Sequence, residues 1–270
     1  MAYESWYLRA VDPARPRGVW IRYTTHDGEP TLWCTLFEEE GVTKLRRTLT
    51  AWPAGSTHGP DRMTGRFEAD GHTAAWDLEL AGASEPLRHL PAEWLYRAPL
   101  PRTKLESPRP DAVVSGRLEV DGRRIDVAGW RGMAGHNWGA EHAARWIWLH
   151  VPGFEDDPEA WLDVALGRVR AGGLLTPWTA AGAICLDGDR RRVRGLARVR
   201  VARPEALELR VGPIHVAVRA APARTVTWDY DGERTVTNCS VAELRLRVQR
   251  RRRPALELAT AHGAAYELGR

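Results

Sequence analysis

Alternation of apolar and polar residues with a period of two is the feature that most constrains the fold of this chain. In the segment TAAWDLEL, Ala74, Trp76, Leu78 and Leu80 share one face, and mostly polar residues share the other. The same alternation recurs along most of the sequence, and turn residues interrupt it at intervals of about ten residues. This pattern is typical of antiparallel strands with one buried face. We therefore predict an all-β protein.

Turn chemistry supports this prediction. The segments AVVSGRLEV and RRIDVAGW read as two strands of a hairpin joined by Asp121 and Gly122, a pair that tolerates the positive φ of a two-residue turn. A second Asp-Gly pair, at residues 231–232, predicts another turn. The helical pattern is confined to two short pieces, at about residues 92–95 and 140–144.

The length of the chain favours two modules. An eight-stranded barrel that holds one small ligand uses only part of a chain of 270 residues, 43% of which are apolar. The least periodic interior segments are residues 100–112 and 132–150. We therefore predict two antiparallel β modules, each a sandwich or a barrel, residues 1–130 and 131–270, with the junction between about 100 and 140. The sequence makes no prediction of an oligomeric state.

The charge distribution argues against a nucleic-acid partner. The formal net charge is only +4, and most arginines are spread along strand-like segments. The consecutive arginines Arg250, Arg251, Arg252 and Arg253 form the densest basic run. A charged turn, or an edge strand that discourages sheet association, is favoured over anion binding for this run, and no site is assigned to it.

Cysteine spacing and hydropathy indicate a cytoplasmic protein. Cys34, Cys185 and Cys239 are an odd number with no C-x-x-C spacing, so neither a disulfide framework nor a zinc knuckle is predicted. The first residues carry charges where a signal peptide needs an apolar region. No stretch approaches the roughly 20 apolar residues of a membrane span, so no integral membrane segment is expected.

The segment GMAGHNWGAEHAARWIWLH, residues 132–150, has the highest density of chemically active side chains. Its second half reads as a strand in which Trp146, Trp148 and His150 share one face. Glycines in its first half allow sharp backbone turns. Residues 136–142 are therefore expected at the mouth of this strand.

Three interpretations of this segment compete. A metal site is disfavoured, because the spacing matches neither H-E-x-x-H nor a cysteine-based pattern, and Glu141 and His142 would point apart in a strand. A structural lock between two sheets is the second interpretation. The third is a pocket wall, favoured because an acid or base, an amide donor and several aromatic faces converge. On that interpretation the predicted catalytic residues are His136, Glu141 and Asn137, and the predicted ligand-binding residues are Trp138, Trp146, Trp148, His150, Trp161 and Asp163.

Near the start of the chain, Trp20 and Arg22 lie two positions apart in VWIRYT. The pair is similar to the start of lipocalins, where a tryptophan closes one end of the barrel against an arginine. We therefore expect Trp20 to be buried with Arg22 beside its ring, in a structural role.

The motif GHNWG followed by WIWLH resembles the core motif of the hydroxyneurosporene synthase (carotenoid hydratase) family and its tocopherol cyclase-like relatives. The segments ESWYLRAVDPARPRGVWIRYT, TNCSVAELRL and GAAYELG are also similar to segments of that broader group. The resemblance implies a double calycin fold, which consists of tandem lipocalin-like (calycin) antiparallel barrels. The carotenoid hydratases have an acidic residue directly before His-Asn-Trp, whereas this chain has Gly135. The resemblance therefore implies the fold but not carotenoid hydration.

The wider group includes hydratases, cyclases, pericyclases and lipid-handling proteins without catalysis. The expected partner is an apolar, unsaturated small molecule of terpenoid, polyene or polyketide-like chemistry. Acid or base groups in an apolar pocket could catalyse its hydration, isomerisation or cyclisation without a cofactor, while tryptophan faces stabilise positive charge on carbon. The alternative is a lipid carrier or binding protein without turnover.

Overall fold

The computed structural model describes residues 3–82, 84–230 and 234–270. The described residues form antiparallel strands and two short 3-10 helices, Glu93–Tyr96 and Pro222–Arg224, which confirms the all-β prediction. The predicted helical piece at residues 140–144 is wrong, because the backbone N–H of Ala140 donates to the carbonyl of Arg102 (3.0 Å) instead of starting a helical turn. The predicted turn at residues 231–232 lies outside the described residues.

The chain divides into two compact units, residues 1–142 and 143–270. The division lies beyond the 130/131 boundary suggested by the sequence, because the last strand of unit 1 continues to Gly139. Unit 1 contains the strands β1 (Tyr3–Val11), β2 (Gly18–His26), β3 (Glu29–Glu38), β4 (Gly41–Thr48), β5 (Arg62–Ala69), β6 (His72–Ala81), β7 (Leu87–Arg88), β8 (Thr103–Val120) and β9 (Arg123–Gly139).

The strands of unit 1 form one antiparallel sheet in the order β4-β3-β2-β1-β9-β8-β6-β5, with β7 added to β8. The guanidinium of Arg47 in β4 donates to the carbonyl of Glu68 in β5 (3.1 Å), so the two end strands of the sheet approach each other. The core inside the curved sheet includes Leu8, Ile21 and Trp76, which follow the alternation predicted from the sequence.

Unit 2 contains the strands β10 (Arg145–Val151), β11 (Trp161–Arg168), β12 (Arg170–Ala171), β13 (Leu174–Leu175), β14 (Thr179–Leu186), β15 (Asp189–Arg203), β16 (Ala206–Val211), β17 (Ile214–Arg219), β18 (Val226–Asp229), β19 (Thr235–Val248) and β20 (Leu256–Gly269). The main sheet has the order β17-β16-β15-β14-β11-β10-β20-β19-β18. Because β17 also pairs with β19, eight strands of this sheet close into an antiparallel barrel.

The long hairpin of β8 and β9 turns at Asp121 and Gly122, whose φ values of 53° and 75° fit the predicted two-residue turn. Residues 103–112 belong to β8 and are not a linker, although their sequence lacks periodicity. The β8–β9 register shifts between Glu106 and Arg109 and again between Arg109 and Ala112. Such irregularities change which face each side chain occupies, and this hides the strand from a search for alternation.

Trp20 and Arg22 are both buried, and the Arg22 guanidinium carbon lies 5.8 Å from the centroid of the Trp20 ring, as predicted. Their location differs from the expected barrel closure. The neighbouring residues Val19, Ile21 and Tyr23 belong to the core of unit 1, so Trp20 and Arg22 lie on the opposite face of β2.

Within the described part of the chain, neither of the short helices has the length or apolar character needed to span a bilayer.

Candidate active site

The predicted site residues lie in three places. Trp146, Trp148, His150, Trp161 and Asp163 belong to one face of β10 and β11 in unit 2. His136 and Trp138 lie on the core side of β9 in unit 1, and Asn137 lies on the other side of the same strand. Glu141 follows the end of β9.

The face of unit 2 is set by strand alternation. On β10, Ile147, Leu149 and Val151 are buried on one side of the strand, whereas Trp146, Trp148 and His150 occupy the other. His150 is the register partner of Asp163 on β11 and of Ala265 on β20. Cross-strand partners share a face, so these residues lie side by side.

The first buried acid on this face is Asp163. The indole N–H of Trp148 donates to Asp163 Oδ1 at 3.0 Å, and both residues are buried. The rings of Trp148 and His150 are nearly parallel, with an interplanar angle of 9° and centroids 5.9 Å apart. A carboxylate, an imidazole and an indole therefore adjoin within two neighbouring strands.

The second buried acid is Glu267 on β20. Its Oε1 accepts a hydrogen bond from the indole of Trp146 (2.8 Å), and its Oε2 accepts one from the amide of Asn238 on β19 (3.2 Å). The Ser240 hydroxyl donates to the Asn238 carbonyl oxygen at 3.0 Å. Burying a carboxylate is unfavourable without such partners, so this network keeps Glu267 oriented at the edge of the face. We refer to Trp146, Trp148, His150, Asp163, Asn238 and Glu267 as the acid face.

Small residues surround the large rings of the acid face. Trp146 pairs with Gly167 on one side and Gly269 on the other, and Trp148 pairs with Ala165. A Cβ added at Gly269 would meet the Trp146 ring at 2.2 Å, so the indole lies directly over this glycine. Ala165 in turn pairs with Ala181 on β14. These alanine and glycine residues thus form a shallow apolar surface beside two tryptophans and two acids, and we refer to it as the alanine and glycine floor.

In unit 1, His136 is enclosed by aromatic and acidic side chains. Its ring stacks between Trp6 (centroids 3.9 Å apart) and Trp138 (4.4 Å). Its Nε2 lies 2.9 Å from Glu4 Oε1, and its Nδ1 lies 3.3 Å from Glu106 Oε1. Ionised carboxylates only accept hydrogen bonds, so both bonds form together when both ring nitrogens carry protons. We refer to these five residues as the ring cluster.

Two titratable groups near the ring cluster, His58 and Tyr96, have shifted pKa values. Burial lowers the pKa of His58, the negative charge of Glu4 opposes this shift, and the positive charge of His136 adds to it. The His58 ring stacks on Tyr23, with centroids 5.0 Å apart. Tyr96 lies beside Trp138, and burial raises the pKa of its hydroxyl to about 12.

The structure does not pair Glu141 with His136. Glu141 is exposed, and its Oε2 accepts a hydrogen bond from the Arg102 guanidinium at 2.6 Å. The nearby His142 stacks on Tyr3, with centroids 4.0 Å apart. Because β9 ends at Gly139, the residues after it no longer follow the strand alternation that orients His136.

Asn137 is half-buried on the face opposite His136, and within the described residues its Oδ1 is buried without a hydrogen-bond partner. Its register partner on β1 is Ser5, whose hydroxyl accepts a hydrogen bond from Arg22 Nε (2.6 Å). On the same face, a Cβ at Gly135 would lie 2.0 Å from the Tyr7 ring. The space that an acidic side chain would need at position 135 is therefore filled by Tyr7.

No group of three or more histidine, cysteine, aspartate or glutamate residues suited to a metal ion occurs in the described ranges. In the ring cluster, the carboxylates of Glu4 and Glu106 face different nitrogens of the His136 ring and do not converge on one point.

Sequence reasoning missed Glu4, Glu106, Asn238 and Glu267. Three of these residues lie in segments that carried the family resemblance: Glu4 in ESWYLRA, Asn238 in TNCSVAELRL and Glu267 in GAAYELG. Their role depends on which strands become neighbours, and periodicity within one strand does not show this. The even spacing of Trp146 and His150 in the sequence indicates that they share a face of β10. The sequence does not indicate that β20 pairs with β10.

No protein-family model matches the sequence. Two curated proteins of Mycobacterium tuberculosis are similar to part of it: uncharacterized protein MT0513 of strain CDC 1551 and uncharacterized protein Rv0493c of strain H37Rv. Each is 29% identical over 164 residues, which is 55% of this chain and 48% of the relative. The chain thus spans about half the length of the curated relatives that it matches.

Solved structures match almost the whole chain. A protein provisionally named AttH from Nitrosomonas europaea has a TM-score of 0.61 and 14% identity, and the match covers 99% of this chain and 92% of that one. Kievitone hydratase from Nectria haematococca has a TM-score of 0.61 and 11% identity over 98% and 87% of the two chains. CghA has a TM-score of 0.62 and 13% identity over 99% and 87%. These matches confirm the predicted fold, tandem calycin-like antiparallel barrels.

Proposed function

We propose that this protein binds an apolar, unsaturated small molecule on the acid face of unit 2 and catalyses its hydration, isomerisation or cyclisation by acid and base chemistry. The observation that carries the proposal is the pair of buried carboxyl groups, Asp163 and Glu267, each held by a tryptophan N–H beside an alanine and glycine floor. One of the matched structures is named as a hydratase, which supports the reaction class. The cysteine pattern supports a cytoplasmic location.

The proposed chemistry needs one proton donor and one face that tolerates positive charge. Asp163 in its acid form would protonate an alkene carbon, so that its O–H bond breaks as a C–H bond forms. The adjacent positive carbon would be stabilised by the Trp146 and Trp148 rings through cation–π attraction. Water, or a second double bond of the same molecule, would then attack that carbon, or loss of a neighbouring proton would complete an isomerisation. His150, beside Asp163, would pass the proton onward.

In this proposal the residues of unit 1 have other roles. Both nitrogens of His136 face carboxylates, so His136 fastens β1 and β8 to β9 and holds Trp138 in place. Asn137 offers a buried carbonyl oxygen to a hydroxyl or N–H donor. Trp161 is buried two positions before Asp163, on the same face of β11, and would form part of the wall of the site.

The test is a reaction in deuterium oxide with a panel of terpenoid, polyene and polyketide-like alkenes. Protonation of carbon leaves one solvent deuterium on carbon in the product, which mass spectrometry detects. We expect Asp163→Asn to lower turnover by about a hundredfold or more. The alkenes should still bind to this variant, and their binding should still quench its tryptophan fluorescence. Asp77→Asn, which breaks an exposed ion pair with Arg62, is the matched control and should retain wild-type turnover. Wild-type turnover in Asp163→Asn would contradict the proposal.

A carrier without turnover is the second candidate. It is favoured by Gly135, because Tyr7 fills the space where the carotenoid hydratases have an acid, and by the exposed position of Glu141. A carrier would bind members of the same panel and release them with no carbon-bound deuterium.

A further inference from the structure

The barrel of unit 2 has a cavity of about 420 Å³ at one of its ends. The turns between β14 and β15, between β16 and β17, and between β19 and β20 come together around it. Its volume lies within the range of roughly 300–1,000 Å³ that is typical of small-molecule sites. None of the acid-face residues lines this cavity.

The floor of the cavity is aliphatic, and its rim is cationic. The floor consists of side chains that continue the barrel core: Ile184, Leu186, Val193, Val211, Ile214 and Val248. The rim carries six arginines: Arg191, Arg192, Arg194, Arg250, Arg251 and Arg253. A single aspartate, Asp187, stands among the lining residues, and it approaches Arg250 only at 3.9 Å.

Protection of a sheet edge explains the arginine run at residues 250–253 only in part. The run lies between β19 and β20, and at this end β19 is paired on both sides, with β17 and β20. β20 pairs with β10 only over residues 265–269, so its beginning is paired with β19 and charged residues beside it can discourage aggregation. An edge strand or a solvated turn accounts for charge alone, whereas here arginines from two segments, β15 and the β19–β20 turn, line one apolar opening.

We propose that this arginine cup binds a free anionic amphiphile of the medium-chain carboxylate class, with its alkyl chain on the aliphatic floor and its carboxylate on the arginine rim. Burial of the chain removes apolar surface from water, and guanidinium groups bind carboxylates through paired, charge-assisted hydrogen bonds. The proposal does not depend on the function proposed for the acid face.

The test is calorimetric titration of the full chain with sodium decanoate, kept below its micelle concentration. Decan-1-ol lacks the charge and acetate lacks the chain, so each should bind at least about tenfold more weakly. Arg251→Glu/Arg253→Glu changes only exposed turn residues and should weaken decanoate binding by about tenfold or more. Arg219→Glu/Arg224→Glu makes the same charge change outside the cup and should leave the affinity within about twofold.

The site can be located by methyl NMR, because the chain contains only five isoleucines. Decanoate should shift the methyl signals of Ile184 and Ile214 in the cup and leave those of Ile21 and Ile125, in the core of unit 1, unchanged. Equal affinity for decan-1-ol, unchanged binding in Arg251→Glu/Arg253→Glu, or shifts confined to unit 1 would overturn the proposal. So would binding to phosphatidylglycerol vesicles or duplex DNA without binding to decanoate.

Discussion

At the scale of the residue, steric exclusion between neighbouring strands determines which side chains can occur together, as Tyr7 and Gly135 illustrate. Tyr7 and Gly135 are register partners on β1 and β9, and the tyrosine ring occupies the position that a side chain at 135 would need. The carotenoid hydratases have an acidic residue where this chain has Gly135, and in the structure the Tyr7 ring occupies the space that such a residue would need. In this chain, a residue without a side chain at position 135 leaves room for the large ring at position 7.

Gly135→Asp should therefore lower the free energy of unfolding by about 2–3 kcal/mol, because the new side chain must displace the Tyr7 ring. Tyr7→Ala/Gly135→Asp removes the clash, so its cost should be smaller than the sum of the two single substitutions. Urea unfolding of the three variants measures this coupling. Strict additivity would show that Tyr7 and Gly135 do not compete for the same space.

At the scale of the element, ends of strands distant in sequence are tied by ion pairs. Glu38 at the end of β3 accepts a hydrogen bond from Arg123 at the start of β9 (2.9 Å) and lies 3.2 Å from Arg17 Nε. The Arg123 hydrogen bond is the main cause of the lowered pKa of Glu38. Burial is the next largest effect and opposes the shift, and the charges of Arg123 and Arg17 add to the lowering. Glu38 thus stabilises the fold in its ionised form.

A group whose pKa is lower in the folded state contributes stability above its unfolded pKa, about 4.3 for glutamate, and loses that contribution as the pH falls through the folded value. Wild type should therefore exceed Glu38→Gln in unfolding free energy by about 0.5–1 kcal/mol at pH 7, a small difference because the pair is partly solvated. The difference should shrink as the pH falls below about 4. Glu119→Gln, at an exposed ion pair with Arg124, is the control, and chemical denaturation at several pH values makes the comparison. A difference between wild type and Glu38→Gln that stays constant down to acidic pH would contradict this role.

Elements were predicted from the sequence to different degrees. Strands such as β6 and the β8–β9 turn were visible, because alternation and an Asp-Gly pair are local signals. The first part of β8 was hidden by two register shifts. The membership of Trp146, Trp148, His150 and Asp163 in one face was partly visible from alternation. Their neighbours Glu267 and Asn238 come from β20 and β19, and the Trp146–Glu267 hydrogen bond joins residues 121 positions apart, which no local pattern encodes.

At the scale of the whole molecule, each unit has its own core and its own polar cluster. Unit 1 contains the ring cluster around His136, and unit 2 contains the acid face and the arginine cup. The two units thus contain three groups of polar and charged side chains, one in unit 1 and two in unit 2. The acid face carries the central claim, because it joins two buried acids to neighbouring alanine and glycine residues.

The most direct test of that claim is native mass spectrometry of the purified full chain. We expect wild type to retain a non-covalent apolar, unsaturated molecule that denaturation releases for identification. Ala165→Trp fills the floor beside Trp148 and should lose this molecule, whereas Ala128→Trp, at an exposed position on β9, should retain it. If Ala165→Trp is folded and still carries the same molecule at wild-type occupancy, the acid face is not the binding site.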